Sequence, residues 1–156
     1  MSQTKLAFVA SQDETALQAK SELENKYAHV PENDADVVVV LGGDGKMLEA
    51  LRYYIDKPVK VFGMNKGTVG FLMNEFSSDN LLERIEAATL VTLHPLRMHV
   101  ETSTGIVKEA LAFNEVSLLR ETSQTAKLRI TIDGTVRMEE LSVSYTHLTL
   151  PTIAKV

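Results

Sequence analysis

The chain contains no cysteine. That excludes disulfides and thiolate metal sites and fits a reducing compartment. Long apolar runs are also missing. In the N-terminal stretch "MSQTKLAFVAS" only Leu6 to Ala10 are apolar in a row, too few for a signal-peptide core and far too few to span a bilayer. A cytoplasmic address and no membrane partner are expected. Lys and Arg total 16 against 21 Asp and Glu, a net charge of −5, and no basic cluster occurs, so nucleic acid is not an expected partner. The four histidines, His29, His94, His99 and His147, show no metal-ligand spacing, and no side-chain metal site is expected. Internal repeats and low-complexity tracts are absent. So are two signatures of phosphate binding: no Gly-Lys-Ser/Thr follows a glycine-rich loop, and there is no G-x-G-x-x-G.

What is present, in 156 residues, suits one domain or two small ones that bury about two thirds of the unfolded surface. "KLAFVAS" (5–11) reads as a buried strand. "DETALQAKSELENKY" (13–27) reads as a helix with Ala16, Leu17, Ala19, Leu23 and Tyr27 inward and Asp13 as its cap. "VVVVL" (37–41), apolar throughout, reads as a strand covered on both faces. A helix over 46–55, a strand over 58–65, a glycine-punctuated loop over 66–72 and a helix over 77–90, capped by a serine or Asp79, follow. This alternation is the grammar of a parallel α/β sheet. Near His94 the pattern changes to apolar–polar alternation, with hairpin turns at Asp133-Gly134 and near 103–105. The reading is therefore α/β followed by all-β, divided as 1–92 and 93–142.

The segment "VVVVLGGDGKMLEAL" (37–51) drives a buried strand into Gly42-Gly43-Asp44-Gly45 immediately before a helix. Ligands of open α/β sheets bind at the carboxyl ends of strands. Glycine lets the backbone approach a phosphate, and a helix start offers free N–H groups. A carboxylate there repels an anion. It makes sense as a Mg²⁺ ligand or as a base accepting a hydroxyl proton in phosphoryl transfer, or else as a plain helix cap.

Taken together, "LGGDGKMLEAL", "VFGMNKGTVGFLMNE" and "FNEVSLLR" resemble the bacterial NAD kinase family, over roughly residues 4–142. The resemblance implies a Rossmann-like α/β nucleotide-binding domain followed by a β-sandwich-like domain, here incomplete. It implies ATP and Mg²⁺ as cofactors, NAD as substrate, and a homo-oligomer at full length. Asp44 would be the general base that takes the proton of the 2′-hydroxyl of NAD's adenosine ribose, with Gly43 and Gly45 placing backbone near the ligand. Phe71 is either an adenine neighbour or a core aromatic, and Asn65 either touches ligand or caps its loop. Asn114 and Glu115 match the family's Asn-Glu pair, which binds ribose hydroxyls or the adenine edge. Glu49 departs from the pattern, because many relatives carry a basic residue or histidine there; Lys46 is a possible substitute. A lipid or sugar kinase of the same superfamily and a non-catalytic nucleotide-binding fragment are the alternatives. "VSYTHLTLPTIAKV" (143–156) replaces a glycine-containing loop of the family and looks like translated adapter sequence. Native sequence is expected to end near Ser142, and the polypeptide as written is expected to be poorly soluble or inactive.

Overall fold

A computed structural model describes residues 4–68 and 70–149. They divide into two compact units, 4–93 and 94–149. In the first, β1 (Leu6–Ala10), β2 (Val37–Leu41), β3 (Lys60–Asn65) and the two-residue β4 (Asn74–Glu75) form one parallel sheet in that order. Val39 pairs with Phe8 on one side and Phe62 on the other. All five residues of β2 are buried, as an unbroken apolar run requires when helices cover both faces.

Those helices are α1 (Glu14–Lys26), α2 (Asp44–Tyr53) and α3 (Leu81–Ala87). Alternation along the strands divides the core. Leu6, Phe8, Val37, Val39 and Leu41 face Ala16, Ala19 and Leu23 of α1 and Leu81 of α3. Ala7, Val38 and Val40 face Met47 and Ala50 of α2, with Tyr54 and Met73. The chain path accounts for the two faces. After α1 the backbone runs first along the outer edge of β1, where His29 bridges Leu6 in parallel and the Val30 N–H donates to the Leu6 carbonyl at 2.8 Å. It then returns to the opposite side of β1 to form β2. Right-handed crossovers that step in opposite directions put their helices on opposite faces.

Several local expectations are corrected. Asp13 does cap α1, accepting from the Ala16 N–H at 2.9 Å, but Leu17 is exposed. One helical step of 100° carries it off the Ala16–Ala19–Leu23 stripe. Helix α2 starts at Asp44 rather than 46. Strand β3 starts at Lys60 rather than Pro58, which has no N–H to give a ladder. Helix α3 is shorter than 77–90, and its N-cap is Asn80 in a left-handed conformation with no side-chain cap bond. The Asp79 carboxylate instead pairs with the Lys26 ammonium, and the Ser77 hydroxyl accepts from the Asp79 N–H.

Leu23 is fully buried between α1 and the sheet. Leu23→Ala is expected to lower unfolding free energy by about 3 kcal/mol, read from the denaturant midpoint at constant m-value. Tyr54, also buried, donates its hydroxyl to the Glu32 carboxylate. Burial first, and then that anion, push its phenol well above the ordinary value of about 10. A raised folded-state value means the stabilisation is intact below about pH 10 and is lost as pH rises beyond it. The melting temperature of the wild type should therefore fall more steeply above about pH 10 than that of Tyr54→Phe. Parallel alkaline slopes would contradict this.

The second unit is antiparallel. β5 (Leu96–Glu101) pairs with β6 (Val107–Ala112), and β8 (Ala126–Ile132) with β9 (Thr135–Val143). The β8–β9 turn is Asp133-Gly134, both at positive φ (49° and 74°), as a two-residue hairpin of the primed type demands. β7 (Glu115–Leu119) pairs with β10 (Tyr145–Thr149) from Tyr145↔Leu119 to Thr149↔Glu115. Thus part of the segment expected to be non-native forms a ladder; its remainder, 150–156, lies outside the described residues. No side chain described in this unit is buried, and Ile106, Val107, Leu111, Leu118, Leu119, Ile132, Val136 and Met138 are exposed. Its described strands form three separate two-stranded ladders. No described helix is long and apolar enough to cross a membrane.

Candidate functional site

The site begins where β2 ends. The Ser11 N–H donates to the Leu41 carbonyl at 2.9 Å and the Gly42 N–H to the Met64 carbonyl at 3.2 Å, so both neighbouring strands hold the chain up to Gly42. There φ turns to +142°, and a Cβ would lie 2.7 Å from Ser11 Oγ and 3.2 Å from Lys46 Cβ. Only glycine suits this point. Gly43 is the extended N-cap of α2, and its carbonyl accepts from the Lys46 and Met47 N–H groups at 3.0 and 3.2 Å. Gly43 and Gly45 are exposed, and a Cβ on either would meet nothing within 4 Å. The turn thus presents open space beside the first amides of a helix, which have no intrahelical partner.

Asp44 is the first residue of α2, half-buried. Its carboxylate does not cap the helix. Oδ2 accepts from the Phe71 N–H at 2.9 Å and Oδ1 from the Leu72 N–H at 3.0 Å. Both donors lie in the loop after β3, which is shaped at its start by Asn65. The Asn65 side-chain oxygen accepts from the Gly67 N–H at 3.1 Å, and its amide donates to the Thr68 carbonyl at 2.7 Å. Of its two readings, the loop-capping amide is the one with contacts. Phe71 is 81% exposed, so the core-aromatic reading fails; its ring stands in solvent while its N–H holds Asp44. Beyond it, Met73 is buried under Gly63, and Asn74 donates to the Gly63 carbonyl at 3.0 Å. These contacts anchor the loop's far end.

The Lys46 ammonium pairs with Glu49 at 3.0 Å, the position that departs from the family pattern. Lys66, which opens the loop, pairs with Glu22 of α1 at 3.1 Å. The Glu22 carboxyl is held below its ordinary value by a hydrogen bond from Ser78 and then by Lys66.

The structure therefore brings together Gly43, Asp44, Gly45 and Phe71, with Asn65 shaping the same loop. Asn114 and Glu115 belong to the second unit. Asn114 is exposed between β6 and β7, and the Glu115 carboxylate accepts from the Tyr145 hydroxyl at 3.2 Å. Sequence reasoning missed Gly70 and the amides of Phe71 and Leu72. The only signal for them was the run of glycines in the loop, which gives no hint that backbone there would clasp a side chain 27 residues away. Among the described residues no group of three or more His, Asp or Glu side chains is placed to hold a metal ion. A hollow of about 450 Å³ occurs among Lys20, Glu24, His29 and Tyr53, and no residue of the turn lines it.

An open parallel α/β sheet with a glycine-rich turn and a helix start at the carboxyl end of a buried strand places this unit in the class of α/β domains whose ligands bind at that edge. The family model described as the ATP-NAD kinase N-terminal domain matches residues 1–93. The chain belongs to the ATP-NAD kinase family. It is 53% identical over 141 residues to the NAD kinase of Hyphomonas neptunium, covering 90% of this chain and 55% of that protein. To the NAD kinase of Brucella suis it is 52% identical over 143 residues, covering 90% and 56%. To that of Caulobacter vibrioides it is 53% identical over 138 residues, covering 88% and 53%. The chain spans about half the length of the curated relatives it matches.

Proposed function

We propose that this chain carries the base and the phosphate-facing turn of an NAD kinase: NAD and ATP give NADP and ADP. The observation that supports this most is the Asp44 carboxylate, held at the carboxyl edge of the sheet beside the open, glycine-lined start of α2. In the reaction the ribose 2′-oxygen bonds to the γ-phosphorus of ATP. The bond from that phosphorus to the bridging oxygen breaks, and ADP leaves with the electron pair. The hydroxyl proton passes to Asp44. Each Asp44 oxygen accepts one amide hydrogen bond and retains a lone pair for the incoming hydroxyl.

Gly43 and Gly45 let phosphate oxygens approach the helix-start amides. The exposed Phe71 ring offers an apolar face to the adenine. Asn65 shapes the loop and, as the resemblance implies, contributes to the nucleotide site. Asn114 and Glu115 supply an amide and a carboxylate suited to a ribose diol. Mg²⁺ would come with ATP, held largely by phosphate oxygens. Its chemistry is neutralisation of phosphate charge. Small-molecule nucleotides are the partners, a cytoplasmic setting is the expectation, and homo-oligomers belong to the full-length protein. Residues 1–92 form the nucleotide-binding domain and 93–142 a partial β domain.

The test is NADP formation from NAD and ATP in a coupled assay, run beside diacylglycerol and sphingoid substrates. Phosphorylation of a lipid and not of NAD would sink the reading. A second reading, nucleotide binding without turnover, is favoured by the second unit's lack of any buried side chain among its described residues. Dinucleotide binding by calorimetry with no NADP formed would select it.

A further inference from the structure

We propose that Gly70 is a positioning residue for Asp44. The bare α-carbon at 70 makes room for the carboxylate, so that the amides of Phe71 and Leu72 can clasp and orient it. This deepens the kinase reading and rests on it only for the consequence in turnover, not for the clasp itself.

The geometry is specific. A Cβ built on Gly70 would fall 2.3 Å from Asp44 Oδ1 and 2.4 Å from both Cγ and Oδ2. It would therefore overlap all three atoms of the carboxyl group. The next two residues each donate one N–H to the carboxylate, Phe71 to Oδ2 and Leu72 to Oδ1. Two bonds from successive amides fix both the distance and the plane of the group. Neither Gly43 nor Gly45 has this role, since a Cβ on either meets open space.

What a side chain at 70 would displace decides the outcome. A contact under 3 Å requires something to move, and the cheapest thing to move is the far end of a side chain. Here the three nearest atoms all belong to the Asp44 side-chain terminus, which can swing by rotation about χ1 into solvent, since Asp44 is only half-buried. Gly70→Ala should leave the fold standing and expel the carboxylate from its clasp. The lesion would be confined to orientation, on which catalysis by a positioned base depends steeply.

The experiment compares the intact chain with Gly70→Ala and Asp44→Ala by residue-resolved amide hydrogen exchange and by thermal melting. In the wild type the Phe71 and Leu72 amides should exchange at least about ten-fold more slowly than in Asp44→Ala, which lacks the acceptor. Gly70→Ala should match Asp44→Ala at those two amides, with core amides of β2 unchanged and the melting temperature within a few degrees. Slow exchange retained at Phe71 and Leu72 in Gly70→Ala would overturn the proposal, as would equal exchange in the wild type and Asp44→Ala. Should Gly70→Ala fail to fold, Asp44→Asn carries the test. Its terminal amide keeps a single acceptor atom, so one of the two loop amides should lose protection; full protection retained at both would count against the clasp. In the coupled assay Gly70→Ala should lower kcat about 100-fold with KM for NAD and ATP within about three-fold. No NADP from the wild type together with the predicted exchange pattern would select nucleotide binding without turnover for this chain and leave the clasp. Normal kcat in Gly70→Ala would remove the positioning role and leave the kinase reading.

Discussion

Asp44→Asn is expected to lower kcat for NADP formation by about 10²–10⁴-fold, the range that a positioned general base contributes. Asparagine is almost the same size, so the turn and α2 should survive. Its amide cannot accept a hydroxyl proton at neutral pH, and one of its two terminal atoms is a donor. That atom faces either the Phe71 or the Leu72 N–H, both of which are donors themselves. One of the two clasping bonds is therefore lost, at about 1 kcal/mol of stability, far too little to unfold the domain. Binding of NAD and ATP should be nearly unchanged, because phosphate approach depends on backbone amides rather than on this carboxylate. The measurement is steady-state kinetics with both substrates varied. Unchanged kcat would remove Asp44 from the proton-transfer step.

The second large effect is expected at Gly42→Ala, with a loss of about 4 kcal/mol in unfolding free energy and loss of the site together. Two costs combine there. A residue with a Cβ resists φ near +142°, a region left almost wholly to glycine, at about 1–3 kcal/mol. The added methyl also meets Ser11 Oγ at 2.7 Å and Ser11 Cβ and Lys46 Cβ at 3.2 Å, an overpacking term of about 1–3 kcal/mol. Ser11 sits at the end of β1 and Lys46 in the first turn of α2, so relief requires a strand end or a helix start to move. A double-mutant cycle with Ser11→Gly separates the two costs. Ser11→Gly removes both serine contacts but not the dihedral strain, so it should recover only part of the loss. Full recovery would show that the backbone at 42 is unstrained; no recovery would show that the dihedral strain and the Lys46 contact decide.

Gly42 and Gly70 show how differently two glycines of one site act. At Gly42 the φ of +142° disfavours any Cβ whatever its neighbours do, so substitution costs stability. At Gly70 the neighbour is the tip of Asp44, which can retreat, so substitution costs orientation. Nothing in "LGGDGK" or "KGTVGF" distinguishes them, since the difference lies in a dihedral angle and in what a Cβ would touch.

The sequence by itself determined much of the first unit. The unbroken apolar run of 37–41 required a strand covered on both faces, and β2 is buried at every position. The stripe Ala16–Ala19–Leu23 set the inward face of α1, and Asp13 set its start. Asp133-Gly134 required a hairpin. These features follow from interactions between near neighbours and from a burial pattern with a fixed period, and both are written in consecutive residues. The Gly-Gly-Asp-Gly turn was legible for the same reason: strand end, turn and helix start are contiguous.

Only the tertiary structure decided what the turn's carboxylate does. Its partners arrive from a loop 27 and 28 residues away, and the donors are backbone N–H groups that every non-proline residue carries. No residue type announces them. The same holds for Asp79, which had the composition of a helix cap but pairs with Lys26 at a separation of 53 residues, and for Phe71, whose apolar ring gives no sign in the sequence that it stands in solvent. Contacts between distant segments depend on where the sheet order and crossover directions carry the chain, and those are set by packing of the whole unit rather than by any one stretch of it.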